Sequence, residues 1–459
     1  MIYSADASSL GGMNDDKKIE EYSEQELVAE LVRRRVARGA LDMTAIEDAG
    51  EAFAASDSEV LLGAFLDERV AQQDEQPKPC PRCGELCRVR VKHRPRTVRT
   101  TLGERTFVRN YHYCESCERG FYPLDIELRL PPEGETSMKL AGRILDFGVT
   151  EAFEDASTRW TVHHARPISE HLVRSVVERA GVAVQAAPEE FLLRELSPPP
   201  AERSGLLVVQ NDGSMVPLRG PDAWKEVKLG VIYREEQHSS GAKTGRGHIS
   251  RARYVAVLGE QDEFRRALDA ALTIEGALGA TRVAWVADGA PGNWSLADEI
   301  CPRAIQILDW CHAVEHGTAC GKVLLGESSD AVPVWEQRIK QLLASGDLQT
   351  LFDELQACKF AANSAGRDAI DALLRYYRNN ERRMHYAAFR EEGLPIGSGT
   401  VESGHRHVLQ KRMKLAGQHW DPVRAKRMAT LRAAYKTAGP MRFQSVIASV
   451  FDLPLRRAA

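Results

Sequence analysis

Four cysteines constrain this chain more than any other feature. Cys80 and Cys83 in PCPRC are separated by two residues, and Cys114 and Cys117 in YHYCESC repeat that spacing about thirty residues later. Two such knuckles place four thiolates around one ion, the tetrahedral sulfur arrangement of a structural zinc site. Between them, RVRVKHRPRTVRTTLGERTFVRNYHY alternates basic with β-branched or aromatic residues, as a hairpin ribbon does. A zinc ribbon with a basic outer face is therefore expected over residues 76–130, with Cys80, Cys83, Cys114 and Cys117 as ligands of Zn2+. Cys87 is a surplus thiol, either a core residue or a rival ligand.

At 459 residues the chain is too long for one core and predicts about three domains. With 43% hydrophobic and 27% charged residues it has the composition of a globular protein. No apolar run is long enough to cross a bilayer, and the first residues lack the basic-then-apolar order of a signal peptide. A cytoplasmic protein with no membrane partner is the expectation, and there clustered cysteines read as metal ligands before disulfides. The net charge of −4 hides an asymmetry. Residues 1–75 carry a balance of −11, which leaves +7 for the rest. The cations concentrate at Arg88, Arg90, Lys92, Arg94, Arg96 and Arg99, and again at Arg406, Lys411, Arg412, Lys414, Arg424, Lys426 and Arg427. Two such clusters favour a polyanion partner.

Residues 1–75 read as an acidic helical region with helices over 24–39 and 58–71. Residues 131–185 carry three helical patterns, the third bearing His171, Arg174 and Arg179. That order suits a helix-turn-helix-like DNA-binding region or a plain three-helix connector. Pro198, Pro199 and Pro200 then mark a linker over 186–204.

Beyond the linker, three strands, a helix, a strand, a helix and a strand follow in order, through GLLVVQNDG, WKEVKLGVIYREEQ, RYVAVLG, EFRRALDAALTIEGA, RVAWVADG, NWSLADEIC and AIQILDW. This is the order of a ribonuclease-H-like mixed sheet, expected over 205–325, with LLVV and VAWV as central strands covered on both faces. Two strands end in Asp-Gly, at Asp212 and Asp288, where a sheet holds a carboxylate rigidly and glycine permits a sharp turn. Residues 326–394 read as a helical insertion whose Arg375, Arg378, Arg382 and Arg383 either meet DNA or are simply solvated. Residues 395–440 return to the catalytic core, and 441–459 form a tail.

In PIGSGTVESGHRHVLQKRMK, Thr400 is expected to cap a helix whose first turn carries Glu402, where the dipole favours negative charge. Arg406, His407, Lys411 and Lys414 would follow along its side. Asp212, Asp288 and Glu402 together form a set of hard oxygen donors for two Mg2+ or Mn2+ ions acting in an in-line displacement at phosphorus. Asp309 in ILDWCHAVEH is the reserve member, with His312 and His316 behind it as groups that orient a ligand or a phosphate, as a mononuclear metal pair, or, the commoner outcome, as a buried hydrogen-bonded cluster.

The stretches NDGSMVPLRG, VADGAPGNWSLADEICPRAIQILDWCHAVEH and PIGSGTVESGHRHVLQKRMKLAGQHW, with the paired cysteines upstream, resemble the DDE transposases of bacterial insertion sequences, most closely the ISKra-type group. The resemblance spans residues 80–435. It implies Asp212, Asp288 and Glu402 as the metal-binding triad, DNA strand cleavage and joining as the reaction, and recognition of the element's terminal inverted repeats. Joining two DNA ends would call for a homo-oligomer on double-stranded DNA. Two other readings stand beside it: a non-catalytic DNA-binding regulator on the same scaffold, and a nuclease that cuts without joining.

Overall fold

The computed structural model describes residues 43–456 except 132–133, 165, 188, 201–204, 222, 236–237 and 241–246, together with 23 and 26. The helix expected over 24–39 lies outside the described residues. The rest is a mixed α/β structure in two compact units, the described parts of Met1–Ala141, Ser157–Glu170 and Asp452–Ala459, and those of Gly142–Ala156 and His171–Phe451.

In the first unit, helix α1 (Met43–Ala71) buries Leu62 and Leu66 against Val98, Phe107, Leu124 and Leu130. Leu61 and Phe65, grouped with Leu62 by spacing, stay exposed. Strands β1 (Lys78–Pro79) and β2 (Leu86–Cys87) pair antiparallel across the first cysteine knuckle. Strands β3 (Val89–Thr100) and β4 (Gly103–Cys114) form the long hairpin, and β5 (Arg119–Phe121) joins β4 after the second knuckle.

The register of β3 against β4 shifts between Val91 and Arg94, where His93 has φ 53°. A second shift lies between Val89 and Val91. Arg88, Arg90, Lys92 and Arg94 are exposed, as are Val91, His93 and Pro95 between them, but beyond this irregular stretch Arg96 and Val98 turn inward. Arg96, expected on the DNA-facing side, is instead buried: it donates to Asp125 at 2.6 Å and to the carbonyls of Pro131 and Gly134. Its charge is spent inside the unit.

The second unit is built on a five-stranded sheet of β6 (Leu206–Pro217), β7 (Trp224–Arg234), β10 (Arg253–Val257), β11 (Arg282–Ala287) and β12 (Ile305–Leu308), in the order β10-β7-β6-β11-β12. A small hairpin, β8 (His238–Ser240) with β9 (Gly247–Ile249), interrupts the run. Strand β7 pairs antiparallel with both β10 and β6, whereas β11 and β12 run parallel to β6. Leu206 to Asn211 of β6 and Val283 to Ala287 of β11 are buried without alternation, as strands covered on both faces must be.

Other helices fall where periodicity put them, over Met138–Thr150, Phe153–His163 and Glu170–Ala186, and through Ala331–Ser345, Leu348–Ala361 and Ser364–Asn380. Two segments differ. The stretch read as a linker holds a helix over Glu189–Leu196, and the expected tail continues the last helix, Pro422–Arg456, past a break at Gly439 (φ 72°). Phe443, Val446, Ile447 and Val450, spaced three and four apart, are all buried there.

Candidate functional site

The sulfur cluster assembles as the spacing predicts. A tetrahedral site with Zn–S bonds of about 2.3 Å needs sulfurs about 3.8 Å apart. Cys80 and Cys117 Sγ are 4.0 Å apart, Cys83 and Cys114 Sγ 3.5 Å, and all four lie within 4.8 Å of one another. Burial opposes ionisation of Cys80, but the N–H groups of Arg82 and Cys83 outweigh it and bring the thiol down to about 7. Cys87 is buried beside Cys80, Cys114 and Phe121 with its Sγ on the Glu85 carbonyl, and burial pushes its thiol up. It is a core residue, and the donor set for a metal such as zinc is the other four.

The acids are brought to one end of the central sheet. On β11, Val286 is level with Gln210 of β6, and Ala287 with Leu308 of β12. Asp212, Asp288 and Asp309 therefore follow at matching heights on three adjacent strands. Gln210 accepts from the Val401 amide at 3.0 Å and donates to the Gly397 carbonyl at 3.0 Å, while Asp309 accepts from the Ser398 amide at 3.2 Å. These bonds fix the turn that opens the helix Gly399–Gly404, and with it Glu402. Ser398, not Thr400, occupies the cap position, and its hydroxyl donates to Glu402 Oε1 at 3.3 Å.

Each acid is held differently. Asp212 does not end its strand: β6 runs on to Pro217, and Gly213 sits opposite Lys228 within the ladder instead of turning. Burial alone would raise the Asp212 carboxyl, but His405, the Gly213 amide and the charge of His312 hold it below its ordinary value. Asp288 does end its strand, followed by Gly289 at φ 93°, a conformation that favours glycine. Its Oδ1 accepts from the Ala290 amide at 3.0 Å and from Asn293 Nδ2 at 2.8 Å. Among the described residues its Oδ2 accepts no hydrogen bond. Asn293 in turn accepts from Asn211, and Asn211 from the buried Trp285 indole, so an amide relay aligns Asp288 with β6.

Asp309 is fully buried and caps the helix Trp310–Leu325. Burial would raise its carboxyl, yet His312 and the Ser398 and Cys311 amides keep it low. The same contact with Asp309 lifts His312 to about 9 against the cost of burial, aided by the charges of Glu315 and Asp288. His316 stacks on Tyr376, whose hydroxyl donates to the Asp288 carbonyl at 2.8 Å.

The oxygen donors do not close into a ready cluster. Among the described residues, the four cysteines are the one group of three or more ligand atoms within 4.8 Å of one another. Asp212, Asp288 and Glu402 still suit a hard divalent cation: all three offer oxygens, Asp288 has one free, and Glu402 is exposed.

The expected cationic residues divide sharply. Arg90 pairs with Glu115, Lys92 with Glu75, and Arg94 donates to the Tyr122 hydroxyl. Arg174 is exposed and lies 5.7 Å from the Phe153 ring. Arg406 and Lys411 are exposed, while Lys414 is half-buried and donates to Ser214 Oγ at 2.7 Å, two residues from Asp212 on the same strand. Arg412, expected among the DNA-binding cations, is a correction: it is 1% exposed, packed between the Phe153 and Trp420 rings and bonded to the Gly148 carbonyl. Arg383 is likewise buried, over the Trp294 ring and on Gln306. Helical spacing alone did not separate these from their exposed neighbours. Sequence reasoning also missed Gln210, Asn211, Asn293, Ser398 and His405. Asn211 beside Asp212 was the one visible signal.

A protein-family model, described as Uncharacterised protein family (UPF0236), matches residues 85–446. No curated protein matches the chain.

Proposed function

As a member of UPF0236, to which the chain belongs, this protein is, we propose, a DDE transposase of an insertion sequence that binds element-end DNA and carries out metal-dependent strand cleavage and strand transfer. The observation that carries the reading is the convergence of Asp212, Asp288 and the Glu402 turn on one end of the sheet through Gln210, Asn211, Asn293 and Asp309. The succession β6, β7, β10, helix, β11, helix, β12 supports a ribonuclease-H-like core. The chain leaves β6 toward β7 and returns on its other side at β11, and open sheets bind ligands where connections diverge in this way.

In this reading Asp212, Asp288 and Glu402 hold Mg2+ or Mn2+, which when bound lowers the pKa of an attacking water or hydroxyl and stabilises charge on the departing oxygen. The chain's own residues supply position. The Asn293 bond fixes Asp288 with one oxygen outward, and the Ser398 bond restrains Glu402. Arg406 and Lys411 lie further along the same helical run, placed to meet backbone phosphates. The cysteine cluster holds Zn2+ and keeps the ribbon's exposed cations in register for DNA. The helices over 138–186 form the DNA-recognition region. Two copies would be needed to join two ends.

The test uses the full chain and duplex DNA carrying the inverted repeats that flank its gene. Asp288→Asn or Glu402→Gln should lower cleavage and joining by about 10³-fold, the loss of several kcal/mol of charge stabilisation. Wild-type rates in those variants would overturn the assignment. Specific binding with no nicking in any metal would instead make the protein a regulator, and cutting without joining a nuclease.

A further inference from the structure

His405 is the first residue after Gly404 and one helical turn beyond Glu402. It is 5% exposed, and its Nε2 lies 3.1 Å from Asp212 Oδ2, within hydrogen-bonding distance but not in hydrogen-bond alignment. Among the described residues its Nδ1 has no hydrogen-bond partner. Buried ring nitrogens are ordinarily satisfied, so an under-satisfied histidine against a carboxylate marks a place where a further group is accommodated.

The backbone places this ring deliberately. From His405 to Gln410 the helix widens to π geometry, a feature that recurs at functional sites. At Gly404 a Cβ would come within 3.0 Å of Leu229 and 3.3 Å of Tyr254, so glycine lets the helix approach the sheet at that step. Val408 and Leu409 then anchor the run in the core, and Lys414 reaches Ser214 further along β6. The helical run that carries Glu402 thus meets β6 at Gln210, Asp212 and Ser214, and His405 is its contact with Asp212.

We propose that His405 is a positioning residue: it holds the Asp212 carboxylate at the angle a divalent cation requires and couples it to the helix bearing Glu402. The inference rests on the carboxylate metal site proposed above. Asp212 has its other oxygen on the Gly213 amide at 2.7 Å, so His405 is the side chain that fixes the remaining rotation. Groups that orient a metal's carboxylate ligand typically contribute 10–100-fold in affinity.

The test is Mn2+ binding to the zinc-loaded full chain, followed by the electron paramagnetic resonance of free Mn2+. His405→Ala should weaken binding about 10–100-fold. His405→Gln, whose amide nitrogen reaches the position of Nε2, should recover to within about threefold of wild type, while His405→Asn, whose nitrogen falls near Nδ1, should stay as weak as alanine. A role in packing alone would not distinguish Gln from Asn, so equal affinities for those two folded variants overturn the inference. Asp288→Asn serves as the control. If it binds Mn2+ like wild type, the carboxylate site itself is wrong. If it loses Mn2+ while His405→Ala does not, only the role of His405 fails.

Discussion

The four cysteines and the four acids are both sets of metal-type donors, and they are built in opposite ways. The sulfurs come from two short knuckles on one ribbon and stand at ligand distance from one another. The oxygens come from β6, the ends of β11 and β12, and a helix nearly two hundred residues after β6, and each is held by bonds of its own. A closed sulfur site contributes folding energy, whereas an open oxygen site is kept apart by its scaffold and leaves room for a substrate. The contrast sets what metal removal should do in each unit.

The largest effect is expected at the ribbon. Structural zinc contributes on the order of 10 kcal/mol in small zinc-dependent domains. Cys80→Ser with Cys114→Ser should reduce zinc from about one per chain to none and abolish amide protection in β3, β4 and β5, with β6 and β11 still protected. Metal analysis with hydrogen exchange resolved by peptide checks both. Retained protection in the ribbon would make the sulfurs a passive cluster and erase the contrast.

A smaller effect should separate the acids from one another. Asp309 is fully buried, paired with His312 and accepting two backbone amides, so Asp309→Ala strands all three partners. His312 is a third exposed, so the loss rests mainly on the backbone amides, and leaving a buried donor unsatisfied costs about 1–3 kcal/mol. Asp288 is partly exposed and Asp288→Asn keeps its shape, so that change should stay within about 1 kcal/mol. Urea unfolding compares them. Equal losses would mean that Asp288 is as structural as Asp309.

How much of this was readable in advance follows from how local each feature is. The cysteine site was legible because its geometry is encoded within a few residues of each ligand. The strand and helix order of the second unit was legible because unbroken apolar runs and helical periodicity are local too. The direction in which a residue points was not. Arg96 follows a stretch exposed from Arg90 to Pro95 in which the register slips twice, and nothing in VRVKHRPRTVRT shows where against β4 the inward-facing positions resume. Arg412 was grouped with the DNA-binding cations by its charge alone, and only the Phe153 and Trp420 rings packed about it show that it faces inward between exposed Lys411 and half-buried Lys414. The supports of the acids were invisible for the same reason: Gln210 meets Val401, and Asp309 meets Ser398, only after the sheet exists.

The smallest effect is the sharpest check on the comparison. A ligand that binds only the folded state stabilises it by RT ln(1 + [L]/Kd), about 1.4 kcal/mol at ten times Kd. Adding Mg2+ to zinc-loaded protein should therefore slow exchange modestly around Asp212, Asp288 and Glu402, and dialysis into Mg2+-free buffer should reverse it without loosening β6 or β11. The modest size follows from the structure, because Gln210, Asn211 and Asn293 already fix the scaffold through bonds that need no cation. Global unfolding of the second unit on Mg2+ removal would show that the oxygens, like the sulfurs, depend on their metal for the fold.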